Sequence, residues 1–284
     1  MAENERVQRA LRAAADVAER LGAGVVEPRL LADLNNVSIR LDPLPVVARV
    51  FSIGRFRADV AALGRELAIA RHLAERNAPI VRPAAGLPAG PHVCGDLAVT
   101  LWQFTPHRPA TERDSNQAAA ALVAIHAALA DFRGPLPTLE AKFVEVRAML
   151  EEPAAMPALA ASGRVLLLNA HDTIMARLAV LAIRQRPVHG DAHLGNVLMT
   201  EDGARWTDFE AACLAPVEWD LALLPEADRA LVGPIDPEIA RTMSDLRSLG
   251  VAAWCWARYD QPDKHEAAAY HLDRLKERAA AGFR

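Results

Sequence analysis

VHGDAHLGNVLMTEDGARWTDFE, residues 188–210, packs two histidines, an asparagine and several acids into one short span. Two chemistries compete for it. In the first, His189, Asp191 and His193 alternate as H-x-D-x-H and bind zinc as a metal-dependent hydrolase would. The residue types suit zinc. The spacing suits it only if an extended loop turns all three inward, and the further acids nearby are Asp202, Asp208 and Glu210. In the second, Asp191 and Asn196 form D-x-x-x-x-N, and Asp208 follows a hairpin-like VLMTEDGARW with a good DG turn signal. Such a set offers an acceptor for a hydroxyl proton, and an amide oxygen and a carboxylate for hard Mg²⁺. Phosphoryl transfer needs it, because its catalysis is mainly positioning and charge neutralisation. The spacing predicts that Asp191, Asn196 and Asp208 face one cleft.

Outward from this stretch, periodicity assigns the elements. Val7, Leu11, Ala14, Ala18 and Leu21 predict an amphipathic helix over 3–21, closed by Gly22 and Gly24. Strands are expected near 25–31, 36–41 and 46–51, then near 92–94 and 97–102, with a helix over about 58–76 between the two sets. Within VVARVF, Val47, Arg49 and Phe51 share one face, and Val46, Ala48 and Val50 the other. From Asn116 on helices dominate, near 116–130, 139–150, 164–184, 236–259 and 263–281, and two short strands fall near 196–199 and 204–207. The fold class expected is α+β and bilobal. A small mixed lobe with an antiparallel sheet spans 1–102 and a larger, mainly helical lobe spans 103–284, joined near QFTPHRPA.

Bulk properties narrow the function. A chain of 284 residues, 52% apolar and 24% charged, buries a substantial core as a soluble protein does. A net charge of -4, with no basic run, gives no footprint for nucleic acid. Cys94, Cys213 and Cys255 are far apart and odd in number, which suggests a reducing compartment and a cytoplasmic location. MAENERVQRA lacks the apolar core of a signal peptide, and LAVLAI is too short to span a bilayer, so no membrane is expected.

HGDAHLGNVLM and WTDFE together resemble the catalytic and metal-binding loops of the aminoglycoside phosphotransferase-like family, within the protein-kinase-like superfamily. The resemblance implies that Asp191 positions or deprotonates the acceptor hydroxyl and that Asn196 and Asp208 are the Mg²⁺ ligands. His189 matches the family's structural histidine, and Asp220 in VEWDLALL the acid that holds the catalytic loop. Arg49 stands in the place of the small lobe's lysine, with Glu66 its ion-pair partner. TLWQF, with Leu101 and Trp102, sits where the hinge would hold adenine through backbone groups. The helix containing His126 also looks like a family element, and Glu210 replaces the glycine that protein kinases carry there.

One departure concerns the phosphate loop. LLADLNNVSIRL has no glycine; Asn35 and Asn36 are its only residues that readily take positive φ, and Ser38 offers a hydroxyl to phosphate. The reading that results is an ATP- and Mg²⁺-dependent kinase of a small hydroxylated substrate. From residue 201 on, 16 acids against 10 bases would suit a cationic aminosugar, with Asp228, Asp236, Glu238 and Asp245 as candidates to line its pocket. A kinase of an amino alcohol, sugar or macrolide, and a non-catalytic nucleotide-binding or scaffold protein, are the alternatives beside the hydrolase.

Overall fold

The computed structural model describes residues 2–283 except 35, 54–58, 223, 230, 232, 233, 260, 262 and 263. Contacts divide the chain into two compact units: Met1–Pro135 with His193–Ala212, and Leu136–Ala192 with Cys213–Arg284. These packing units cut the sequence elsewhere than the lobe boundary read from composition. The reason lies in the hairpin at 197–206, which packs on elements from the first half of the chain.

The first unit is built on a five-stranded antiparallel sheet. Its strands are β1 (Glu27–Asp33), β2 (Val37–Asp42), β3 (Val46–Ser52), β4 (His92–Cys94) and β5 (Leu97–Gln103), in the order β1-β2-β3-β5-β4. Period-two alternation gives the sheet two different faces. Val37, Ile39, Leu41, Val46, Ala48, Val50, Val99 and Leu101 form one, sealed by α1 (Ala2–Arg20) through Ala10, Ala13, Ala14, Val17 and Ala18. Small side chains on that stripe let the helix approach closely. On the opposite face Phe51 and Ala98 pack with Leu63 of α2 (Val60–Glu75). Helix α2 is N-capped by Asp59, whose side chain accepts from Ala61 N, which satisfies a backbone donor otherwise orphaned at the helix start.

The remainder of this unit joins β6 (Arg108–Pro109), α3 (Ser115–Leu129), β8 (Val197–Thr200) and β9 (Gly203–Trp206). The sheet order here is β6-β8-β9. Trp206 is fully buried and donates its indole N–H to the Ala118 carbonyl on α3 at 3.0 Å. Its backbone N–H donates to Pro79 O and its carbonyl accepts from Val81 N, both at 2.9 Å.

The second unit is a helical body of α4 (Leu139–Glu151), α5 (Ala161–Leu178), α8 (Pro237–Ala257) and α9 (His265–Ala280) around one apolar core. A two-stranded ribbon of β7 (Arg186–Val188) and β10 (Cys213–Ala215) and the short helices α6 (Glu218–Leu221) and α7 (Glu226–Arg229) complete it. Helix α8 opens with Asp236 as N-cap and Pro237 at its first position, a preorganised start.

The expected strands and long helices are present to within a few residues, with one larger difference. The helix expected over 164–184 ends at Leu178. There the turns tighten to i→i+3 bonds at Val180 and Leu181, beta-branched Val180 lies exposed, and the chain straightens to pair Arg186–Val188 with β10. Strands β6, β7 and β10 and helices α6 and α7 are too short to leave a periodic signal. No described helix is long and apolar enough to cross a membrane.

Candidate active site

In the first unit Arg49 is the hub. It lies at 7% exposure on the sheet face away from α1, opposite Ser38 on β2 and Thr100 on β5. Its Nη1 donates to Glu66 Oε1 at 2.8 Å, and its Nη2 meets Asp208 Oδ1 at 3.1 Å. Glu66 is fully buried on α2, and the same Oε1 accepts the backbone N–H of Phe209 at 3.2 Å. One planar guanidinium thus links strand β3, helix α2 and the WTDFE loop, which a point-charge ammonium cannot do at two carboxylates with one fixed geometry. Burial works against the Arg49 cation, but Glu66, Asp208 and Glu210 together hold its pKa above the ordinary range. Burial pushes the Glu66 carboxyl up, with Arg49 pulling it back.

Asp208 takes the left-handed conformation, φ 69 and ψ 62, and leads into a 3-10 turn at Phe209–Ala211. A non-glycine residue held there is a constrained position. Its side chain stays 27% exposed. Asn196, 8% exposed, ends a 3-10 turn at Leu194–Asn196, and its carbonyl accepts from Thr207 N at 3.0 Å. This bond ties the asparagine's loop to the loop of Asp208. Both side chains are hard oxygen donors, and a small, reluctantly dehydrated cation needs only one or two carboxylates beside phosphate and water oxygens, so the pair fits Mg²⁺.

His193 caps the turn before Asn196. Its Nδ1 accepts from Gly195 N at 3.0 Å, and a Cβ at Gly195 would meet that ring at 2.7 Å. The zinc reading fares worse. Among the described residues no group of three or more His, Cys, Asp or Glu side chains is placed to hold a metal ion.

Ser38 donates its hydroxyl to Asn36 Oδ1 at 3.3 Å beside the β1–β2 turn. That turn is tight, with Asp33 paired to Val37, and Asn35 lies outside the described residues. Trp102 shares the Arg49 face, 2% exposed, with its indole N–H donated to Thr100 Oγ1 at 2.8 Å. Leu101 does not serve as expected. Its N–H donates to Ala89 O at 2.9 Å, its carbonyl accepts from Ala84 N at 3.0 Å, and its side chain is buried against α1. The alternation that puts Trp102 and Arg49 on one face puts Leu101 on the other, and its backbone groups are committed to neighbouring chain.

The second unit carries Asp191. Its carboxylate is 40% exposed, and Oδ1 accepts from Arg247 Nη1 at 2.9 Å. Arg247 is 4% exposed in the middle of α8, with its guanidinium carbon 4.3 Å from the centre of the Trp219 ring. Burial pulls the Arg247 pKa down, and Asp191 and Asp220 oppose it. The loop is held from beneath. Fully buried Asp220 accepts His189 N and Gly190 N at 2.8 Å each, and Trp219 donates its indole N–H to Gly190 O at 2.9 Å. Gly190 sits at φ +88, where a side chain would be strained. His189 is fully buried, and its Nδ1 accepts the Asp191 N–H at 3.3 Å, so this ring nitrogen carries no proton.

The acids considered for a cationic pocket are largely spent on the fold. Asp236 caps α8, Glu238 pairs with Arg177 at 3.2 Å, and Asp245 is gripped by Arg278 at 2.8 Å through both oxygens. Sequence reasoning missed Arg247 and Trp219. The available signal was a lone arginine inside DLRSLGVAAW, an apolar helical run in which a charge needs a partner.

The phosphotransferase enzyme family matches over residues 7–277. Among solved structures, choline kinase LicA from Streptococcus pneumoniae superposes with a TM-score of 0.70 at 15% identity, covering 95% of this chain and 99% of that one. Amicoumacin kinase hAmiN, in complex with AMP-PNP, Ca²⁺ and Ami, gives 0.70 at 14% identity, covering 88% of each chain. A thermostable mutant of aminoglycoside phosphotransferase APH(4)-Ia, with AMP-PNP and hygromycin B, gives 0.66 at 15% identity over 94% and 97%. At such identities the likeness establishes the protein-kinase-like fold. None of the curated proteins compared matches the chain.

Proposed function

The chain belongs to the phosphotransferase enzyme family, and we propose that it moves the γ-phosphoryl group of ATP to a hydroxyl of a small molecule. The observation that supports this most is the line of ion pairs from Glu66 through Arg49 to Asp208, which joins a sheet cation to the loop carboxylate of the metal pair. On this reading residues 1–102 form the nucleotide-binding lobe and 103–284 the catalytic and substrate lobe.

Asp191 orients the acceptor hydroxyl and takes its proton. His189 and Asp220 fix the loop from which Asp191 projects. Arg49 steadies the phosphates while Glu66 keeps it aimed, and Ser38 and Trp102 lie on the same sheet face as that arginine. Asn196 and Asp208 would hold Mg²⁺. A bound ion there would supply charge neutralisation for the phosphate oxygens. Adenine would lie near the hinge, but Leu101 lends it no backbone group.

The acceptor class is drawn wider than an aminosugar, because Asp236, Glu238 and Asp245 serve as a cap and as ion-pair partners. Amino alcohols, sugars and macrolides stand beside aminosugars. A cytoplasmic location accords with three cysteines that form no disulfide. A second reading, nucleotide binding without transfer, is favoured by the tight, glycine-free β1–β2 turn. Thermal shift with Mg·ATP and a turnover screen over hydroxylated small molecules separate the two. Binding with turnover supports the kinase, binding alone supports the second reading, and no binding at millimolar nucleotide sinks both.

A further inference from the structure

We propose that Arg247 is the positioning residue for Asp191, a role that rests on the phosphotransferase reading and adds to it a cation that the catalytic loop lacks. Residues 189–196, HGDAHLGN, contain neither lysine nor arginine. A carboxylate working beside a triphosphate is repelled by it, and the repulsion grows as water is excluded. Arg247 answers this from another element. It reaches Asp191 Oδ1 at 2.9 Å across 56 residues of sequence.

The cost of burying Arg247 argues that its charge is used. Among the described residues Nε and Nη2 are buried without a hydrogen-bond partner, although a guanidinium has five N–H groups to satisfy. Met243 and Gly250, one turn before and after it on α8, are buried and apolar. An apolar residue of similar volume would fill the site at lower cost. Among the described residues this guanidinium donates only to the carboxylate expected to meet the acceptor.

The surroundings point the same way. Trp219 presents its ring face to Arg247 and its indole N–H to Gly190 O, and Asp220 holds the two preceding backbone N–H groups. Arginine, ring and acid therefore grip one turn of chain. Held at Oδ1, the Asp191 side chain keeps one rotamer while remaining 40% exposed for an incoming hydroxyl.

The test uses the full chain, Mg·ATP as ligand and water as acceptor, comparing wild type with Arg247→Met, Arg247→Lys, Asp191→Asn and the Asp191→Asn, Arg247→Met double variant. Arg247→Met is expected to lower kcat roughly 10- to 100-fold, part of the roughly 10²–10⁴ that a positioned base supplies, with the Kd for Mg·ATP moving less than about threefold. Arg247→Lys recovers part of kcat. In the Asp191→Asn background, Arg247→Met changes kcat no further, because residues that act as a unit are not additive. An unchanged kcat in Arg247→Met, additive losses in the double variant, or kcat and Kd failing together with the melting temperature would each overturn the role. If Arg247→Met does not fold, the same split between kcat and Kd in Arg247→Lys decides. A wild-type chain that turns over Mg·ATP neither with water nor with any hydroxylated small molecule of the screen removes the transfer reading and this role with it, whereas normal turnover in Arg247→Met removes the role alone.

Discussion

Asp220 accepts the backbone N–H of His189 through Oδ2 at 2.8 Å and uses its other oxygen for the N–H of Gly190. One fully buried side chain thereby satisfies two successive backbone donors of the loop that carries Asp191. Leaving a buried donor unpaired costs about 1–3 kcal/mol. Asp220→Ala should therefore destabilise the chain by about 2–5 kcal/mol, and Asp220→Asn, which keeps one acceptor oxygen, by about half of that. Urea denaturation followed by tryptophan fluorescence checks it. Equal losses for the two variants would show that the twin acceptor is not what matters.

Asp191→Ala is expected to abolish transfer while leaving the Mg·ATP affinity nearly intact. It also strips Arg247 of its hydrogen-bonded carboxylate. Removing one partner of a buried pair costs about 3–5 kcal/mol, and solvent at the 40% exposed Asp191 brings this down to about 1–3. Asp191→Asn keeps an acceptor oxygen and should melt closer to wild type. Melting curves of the two variants side by side decide, and identical curves would contradict the coupling.

Asp208 combines a charge with a left-handed backbone. Asparagine tolerates that conformation, whereas alanine pays about 1 kcal/mol for it. Both Asp208→Asn and Asp208→Ala should weaken Mg·ATP binding, because both lose the carboxylate, but only the alanine variant should lose stability from the backbone term. Calorimetric titration with Mg·ATP, paired with thermal melts, separates the two effects. Undiminished affinity in Asp208→Asn would remove this residue from the metal pair.

The acid response of the first unit should depend on Asp114. Two Arg108 nitrogens at 2.7 Å, together with the N–H and hydroxyl of Thr111, hold its carboxyl well below the usual range. A depressed folded-state pKa gives stability that is fully present above the unfolded value of about 4 and is lost as pH falls through the folded one. Asp114→Asn should melt lower than wild type at pH 7, and the gap should close as the pH drops below about 4. A gap independent of pH would rule out ionisation as its source.

Gly195→Ala sets a methyl group against the His193 ring, 2.7 Å away, in the turn that ends at Asn196. The ring must move and surrender its bond from Gly195 N. Mg·ATP affinity is expected to fall several-fold, and a His193→Ala, Gly195→Ala double variant should recover part of it. Without recovery, the clash is not the cause.

Much of this was open to reading from the chain alone, for uneven reasons. HGDAHLGN and WTDFE are each contiguous, so the family resemblance stands in the order of letters. The two-faced character of β3 follows from strict alternation, which also set Arg49 toward Glu66. Arg247 left only a faint trace, since its partner is 56 residues away and helical periodicity treats its position as one more core site. Leu101 was misjudged because a hinge argument counts backbone groups without knowing that Ala84 and Ala89 already use them. The place of residues 193–212 was hidden as well, because it depends on Trp206 meeting α3 and the chain at Pro79–Val81, contacts that no local pattern announces.

The interrupted course of the first unit bears on how it is made. Its N-terminal stretch ends at Pro135, and its last piece, with β8, β9 and Trp206, arrives only after Leu136–Ala192 has been synthesised. At about 5–20 residues per second the ribosome spends several seconds on that interlude. During it the Ala118 carbonyl lacks its indole donor and the wall that Trp206 will cover lies bare. Nascent chains stalled with residue 192 just outside the tunnel should be cut by protease within α3, and chains stalled past residue 212 should resist. The emergence of one tryptophan would then time the closing of the sheet unit during translation.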